Sequence, residues 1–139
     1  MTPLISYSPW TAEEVMRMAS DSHEHAASVV NQLALNFSAW SRDSALRCAG
    51  LKRFAAVLIE ARSRIVDLLV REAGKNLIDA EVEADLLPKK IAISLTAGLA
   101  RTPQSLSHSL EPQIFWRPRG VAVVLGPFNF PLHLLHGLV

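Results

Sequence analysis

Residues 120–139, GVAVVLGPFNFPLHLLHGLV, run for twenty positions without a formal charge. A run of that length is enough to cross the hydrocarbon of a bilayer. It is also what a strand and helix buried inside an α/β protein look like. The segment Gly126-Pro127-Phe128-Asn129-Phe130-Pro131 decides between the two. Its prolines remove backbone donors and an amide side chain stands between them. In hydrocarbon, the backbone groups so freed would find no partner. In a soluble protein each residue has a use. Val121–Leu125 is apolar throughout, as in a strand covered on both faces. Gly126 permits a sharp turn and a close approach to the backbone, and Pro127 and Pro131 stiffen the loop. A new helix can begin after Pro131. The stretch therefore reads as strand, tight loop and helix, and no membrane span is expected.

Upstream the period changes. Asp21 and Glu24 mark a helix start, and Ala26, Val29, Val30, Leu33, Phe37 and Trp40 follow at spacings of three and four. That spacing predicts an amphipathic helix over 21–40. A second helix is predicted over 42–73, opened by Ser41 to Asp43. Leu51, Phe54, Leu58, Ile65, Leu68 and Leu69 lie along one of its faces, and Glu60 can pair with Arg64 on the other. Gly74 is placed to end it as a left-handed residue. A third helix covers 77–100, with a kink or break expected at Pro88, which lacks a backbone donor and clashes one turn back. Residues 1–20 are two-valued: Thr11 and Glu14 could form a capping box on a poor helix, or Val15 to Met18 a short strand. RTPQSLSHSLEPQ, 101–113, is polar and turn-prone, and Ile114 to Trp116 begin a β-rich run. Helices followed by a buried strand point to an α/β fold of which only the beginning is present.

At 139 residues the chain is one domain's worth at most, and with half its residues hydrophobic it can build a core. The net charge of +1 gives no nucleic-acid footprint. Cys48 is the only cysteine, so no internal disulfide can form, which suits a reducing, cytoplasmic setting. The N-terminus lacks the basic and continuous apolar regions of a signal peptide.

Ligands of open α/β sheets bind at strand ends. Asn129 could there present a neutral amide from a rigid loop to an oxygen gaining negative charge. An asparagine in a loop also serves simply as a turn residue, and spacing does not choose. There is no glycine-rich dinucleotide fingerprint. His23 with His25, and His133 with His136, lack the third ligand a zinc site needs. Lys75, following a helix-ending glycine, is expected to be solvated, as are Arg117 and Arg119. Cys48 lies mid-helix and reads as a structural or surface residue.

Three stretches together carry a resemblance. RPRGVAVVLGPFNFPL is similar to the Pro-x-Gly-Val-x-x-x-x-x-Pro-[Trp/Phe/Tyr]-Asn-[Phe/Tyr]-Pro segment of the aldehyde dehydrogenase superfamily. LLVREAGKNLIDAEVEADLLPKKIAISL resembles its Glu-x-Gly-Lys helix end and the helix after it. NFSAWSRDSALRCAGLKRFAAVLIEARSRIVDLL resembles the preceding helix pair, with Trp40 and Arg47 in the expected places. The resemblance covers about residues 7–139. It implies the N-terminal helical part and first strand of a Rossmann-like cofactor domain, incomplete. It also implies an NAD- or NADP-dependent oxidation of an aldehyde, with Asn129 as the oxyanion-hole amide. Leu125, Gly126, Pro127 and Phe128 would line the nicotinamide–ribose side of the cofactor site. KKIAIS with GPFNFPLHL is most similar to the branch acting on succinylglutamic semialdehyde in arginine catabolism. LVREAGK is more like the pyrroline-5-carboxylate branch. In the family the nucleophilic cysteine and the general-base glutamate lie further along, so this chain alone is expected to be inactive. Residues 104–118 match the position of a β-arm through which family members form homo-oligomers. A non-enzymatic interaction module derived from the family is the alternative. HLLHGLV and Pro88 depart from the family pattern.

Overall fold

The computed structural model describes residues 2–101 and 117–136. In chain order these form strands β1 (Leu4–Tyr7) and β2 (Glu14–Met18), then helices α1 (His23–Arg42), α2 (Ser44–Glu60), α3 (Arg62–Glu72) and α4 (Leu77–Ile93). A π-helical turn, Ser94–Gly98, continues α4, and a short helix α5 spans His133–His136. Ile114 to Trp116, and all of the 104–118 arm but its last two residues, lie outside the described residues.

The arrangement turns on α4. Ala80, Glu83, Ala84, Leu87 and Ile91 are its buried residues, and their spacing of three and four makes one stripe down the helix. Val66 and Leu69 of α3 pack on Ala80 and Ala84, with Ile65 and Val70 partly buried beside them. Arg62 at the start of α3 grips Asp85 of α4 with two bonds, Nε to Oδ1 at 2.6 Å and Nη2 to Oδ2 at 3.1 Å. A two-pronged guanidinium–carboxylate pair fixes angle as well as distance. The guanidinium beside Asp85 holds its carboxyl below the usual carboxylate range.

The single helix expected over 42–73 is two helices. Ala61 has φ −82° and ψ 1°, outside the helical range, and separates α2 from α3. Both helices pack on α4 on either side of this bend. The ion pair expected between Glu60 and Arg64, on either side of it, is absent among the described residues. Conversely, Pro88 does not break α4, which is helical through it. The irregularity comes later, at the π-helical turn, where the Thr96 hydroxyl donates back to the Ala92 carbonyl at 2.9 Å. A hydroxyl that competes for the helix's own acceptors loosens its repeat.

The first twenty residues resolve to the strand alternative. β1 and β2 pair antiparallel, Leu4 opposite Met18, with a bulge between Ser6 and Tyr7. Ser8 closes the connection: its hydroxyl accepts from the amides of Trp10 and Thr11, both at 3.3 Å. The hairpin tip rests on the end of α3, where Trp10 Nε1 donates to the Gly74 carbonyl at 3.1 Å. Gly74 has the left-handed φ of 67° that its place after α3 called for.

Ser22 caps α1, its hydroxyl accepting from the His25 amide. Arg47 closes the other end, donating to the carbonyls of Trp40 and Ser41 at 2.7 and 2.8 Å. The apolar stripe of α1 is present but only partly covered: none of its residues is fully buried, and the Trp40 ring lies against Gly50 of α2. The strand expected at Val121–Leu125 is not formed either. These residues have no regular secondary structure, and all but Val124 are exposed. A strand exists through its neighbours' hydrogen bonds, and the sheet of the described residues consists of β1 and β2 alone.

Candidate functional site

The candidate site is the loop 126–132 and the helical turn that follows it. Pro127 to Leu132 contains successive turns and leads into α5. Gly126 is folded back against α5: a Cβ there would come within 2.5 Å of the Leu135 side chain. Any larger residue there would have to displace the Leu135 side chain. Leu125, Pro127, Phe128 and Asn129 are all exposed. Phe128 is 90% exposed and Leu125 88%. Asn129 makes no hydrogen bond among the described residues, so its amide is open to a ligand. Gly126, Pro127, Phe128 and Asn129 thus lie on one exposed loop, and Leu125 ends the irregular segment before it rather than a strand.

What holds the loop was not foreseen. Glu83 of α4 is fully buried. Its Oε1 accepts from the amides of Leu132 at 3.0 Å and His133 at 2.9 Å. Its Oε2 accepts from Lys75 Nζ at 2.5 Å. Lys75, expected to be solvated, is instead nearly buried, with a side-chain exposure of 11%. Its ammonium also sits over the Phe130 ring, 4.0 Å from the centroid, a favourable cation–π placement. Burial works to raise the Glu83 pKa, but the Lys75 ammonium and the two amides outweigh it and the net shift is downward. Glu83 is therefore an ionised carboxylate inside the protein, with both oxygens bonded.

Further contacts continue the attachment. Lys90 Nζ donates to the His133 carbonyl at 3.4 Å. Phe130 meets the His133 ring edge-on with centroids 6.3 Å apart, and His136 lies against Phe54 of α2 at 5.5 Å. Burial, together with the charges of Lys90 and His133, lowers the His136 pKa against an opposing contribution from the Leu87 carbonyl. His136 with Leu51, Phe54, Ile91 and Ser94 lines a small cleft of about 20 Å³, the size of one water.

Glu83 had a signal in the sequence. It stands on the same stripe as Ala80, Ala84, Leu87 and Ile91, and a carboxylate on an apolar stripe needs a buried partner. Cys48 lies within α2 and is partly exposed. Among the described residues no group of three His, Cys, Asp or Glu side chains is placed to hold a metal ion. No helix among them is long and apolar enough to cross a membrane.

A model of the aldehyde dehydrogenase family matches residues 2–138. N-succinylglutamate 5-semialdehyde dehydrogenase of Burkholderia thailandensis is 37% identical over 135 residues, 95% of this chain and 28% of its own length. The protein of the same name from Paraburkholderia xenovorans is 36% identical over the same shares. The chain thus spans little more than a quarter of the curated relatives it matches. Among solved structures, an NAD-dependent benzaldehyde dehydrogenase from Corynebacterium glutamicum superposes with a TM-score of 0.66. The match covers 80% of this chain and 24% of that one at 21% identity, a likeness of fold.

Proposed function

The chain belongs to the aldehyde dehydrogenase family, and on that premise we propose that it forms the Asn129-bearing part of an enzyme oxidising a semialdehyde to a carboxylic acid. The aldehyde is of the succinylglutamic type, in arginine catabolism, and the site of action is the cytoplasm. The names of the relatives support the substrate. The observation that carries the reading is Asn129: an exposed amide between two attached points, Gly126 against Leu135 and Phe130 under Lys75. When a nucleophile adds to an aldehyde carbon, the oxygen gains negative charge. A donor already held in place stabilises that charge without reorganising. Asn129 supplies the donor, its Nδ2 amide.

NAD or NADP is the cofactor of this reading and supplies the hydride acceptor when bound. The exposed Leu125 and Phe128, with Gly126 and Pro127 between them, fit one apolar side of a nicotinamide–ribose. The sequence holds no glycine-rich fingerprint for the pyrophosphate, so these four residues form only part of a cofactor site. Homo-oligomers form through the 104–118 arm.

The nucleophile is not supplied here. The single cysteine, Cys48, lies within α2, whose main partner is α4, and covalent catalysis requires a nucleophile within reach of its activating groups. The 139-residue chain, mixed with NAD or NADP and succinylglutamic semialdehyde, is expected to give no rise in reduced-cofactor absorbance. Turnover that Cys48→Ser abolishes would overturn this. Activity is expected from a hybrid in which the chain replaces the matching 135 residues of the Burkholderia thailandensis relative. In that hybrid Asn129→Ala should lower kcat about 10²–10³-fold, the usual cost of one oxyanion donor. An unchanged kcat would remove Asn129 from the chemistry.

A further inference from the structure

We propose that Glu83 is a positioning residue for Asn129: its carboxylate latches the start of α5 and so fixes the loop that carries the amide. The inference rests on the oxyanion reading of Asn129 and extends it to a residue on another element.

Glu83 sits on α4 among residues whose task is packing. Apolar side chains at both Glu83 and Lys75 would serve the α3–α4 contact equally well, because replacing a whole buried ion pair by apolar groups is often neutral or stabilising. The carboxylate has a use that an apolar side chain cannot fill. One oxygen takes the amides of Leu132 and His133, and the other takes Lys75, whose ammonium in turn covers Phe130. Each partner bears on Asn129. Phe130 is its immediate neighbour, and Leu132 lies three residues on. Gly126, three residues before it, is packed on Leu135 of the helix that Glu83 holds. The loop is thus closed into a small unit bonded to α4 chiefly through Glu83, with one longer bond from Lys90 to the His133 carbonyl beside it. Catalytic groups tolerate little displacement, and misplacement by about 1 Å can cost 10²-fold in rate.

Peptide-resolved hydrogen exchange on the 139-residue chain tests the latch. Glu83→Met keeps the bulk and removes both acceptors. It should speed exchange at Leu132 and His133 by about 10–100-fold, the range expected for losing a bond to a charged acceptor. The amides of Val66 and Leu69 should stay within about twofold. Glu83→Gln, a milder change, keeps a neutral acceptor for the amides, and Lys75→Met removes the counter-charge; each should give a smaller rise at the same two amides. Unchanged protection there in all three variants overturns the proposal, and so does an equal loss across α3. In the hybrid enzyme, Glu83→Gln should lower kcat with little change in KM, and should add nothing once Asn129 is already alanine. Additive losses would mean that Glu83 does not act through Asn129. If Asn129→Ala alone leaves kcat intact, the oxyanion reading falls, while the exchange result still decides whether Glu83 holds the loop.

Discussion

Replacing Gly74 with alanine tests how the N-terminal hairpin is joined to the helices. Two separate costs arise. The backbone there has φ 67°, and a residue with a Cβ loses about 1–2 kcal/mol in that region. The added Cβ would also lie 2.6 Å from Pro9 Cγ. Pro9 is a rigid ring, so it must move with its backbone, and overpacking of this kind costs about 1–3 kcal/mol. Alanine returns about 0.4–1 kcal/mol by restricting the unfolded chain. The net destabilisation is about 1–5 kcal/mol, centred near 3. A second substitution separates the parts. In a Pro9→Ala background the close contact is relieved and only the backbone strain remains, so Gly74→Ala should there cost about 1 kcal/mol. Urea unfolding followed by far-ultraviolet circular dichroism on the four chains of this cycle gives both numbers. Equal costs in the two backgrounds would show that Pro9 does not rest on Gly74. A cost near zero in both would show that α3 does not end in a left-handed residue.

Leu87→Ala should destabilise the chain by about 2–5 kcal/mol in the same assay, because Leu87 is 2% exposed and its removal leaves a cavity. The depressed pKa of Glu83 makes its stabilisation fully present above the unfolded carboxylate value of 4.5 and lost as pH falls through the lower folded value. Glu83→Gln should therefore flatten the acid limb of a stability–pH curve. His136, lowered from 6.5, contributes stability that is present above pH 6.5 and lost as pH falls through its folded value. His136→Phe should remove that slope alone. Val123 and Leu125 are 81% and 88% exposed, so light scattering should detect self-association that Val123→Lys with Leu125→Lys suppresses.

Where signals are local, the sequence was a sufficient guide. Gly74 could be recognised because only a left-handed residue ends a helix in that way. α1 could be outlined from its period, within two residues at each end. The break at Ala61 left no trace, since alanine is the best helix former and the bend comes from packing α2 and α3 on α4. The apolar run at Val121–Leu125 matches a buried strand by composition, but a strand depends on partners that no single segment encodes. Residues 125–129 were assigned to a site by resemblance alone, since nothing in their spacing separates a ligand-binding loop from an ordinary turn. Lys75 was misjudged for a specific reason. Its surroundings are set by Glu83, eight residues on in α4, and by Phe130, far along the chain, and neither is visible in the residues beside it.

The Glu83 bonds to Leu132 and His133 join positions 49 and 50 residues apart. Closing a loop of that size costs roughly 3–4 kcal/mol of chain entropy. The Lys75–Glu83 pair, by contrast, spans only eight residues and can form as soon as α3 and α4 meet. The order of assembly follows. The helical core would form first, with the carboxylate already held by its ammonium, and the segment carrying Asn129 would dock afterwards on an acceptor waiting for it. Substitutions at Leu132 to His136 should then leave the folding rate unchanged and appear almost wholly in unfolding. The part of the chain proposed to touch substrate would also be the last to be ordered and the first to be released.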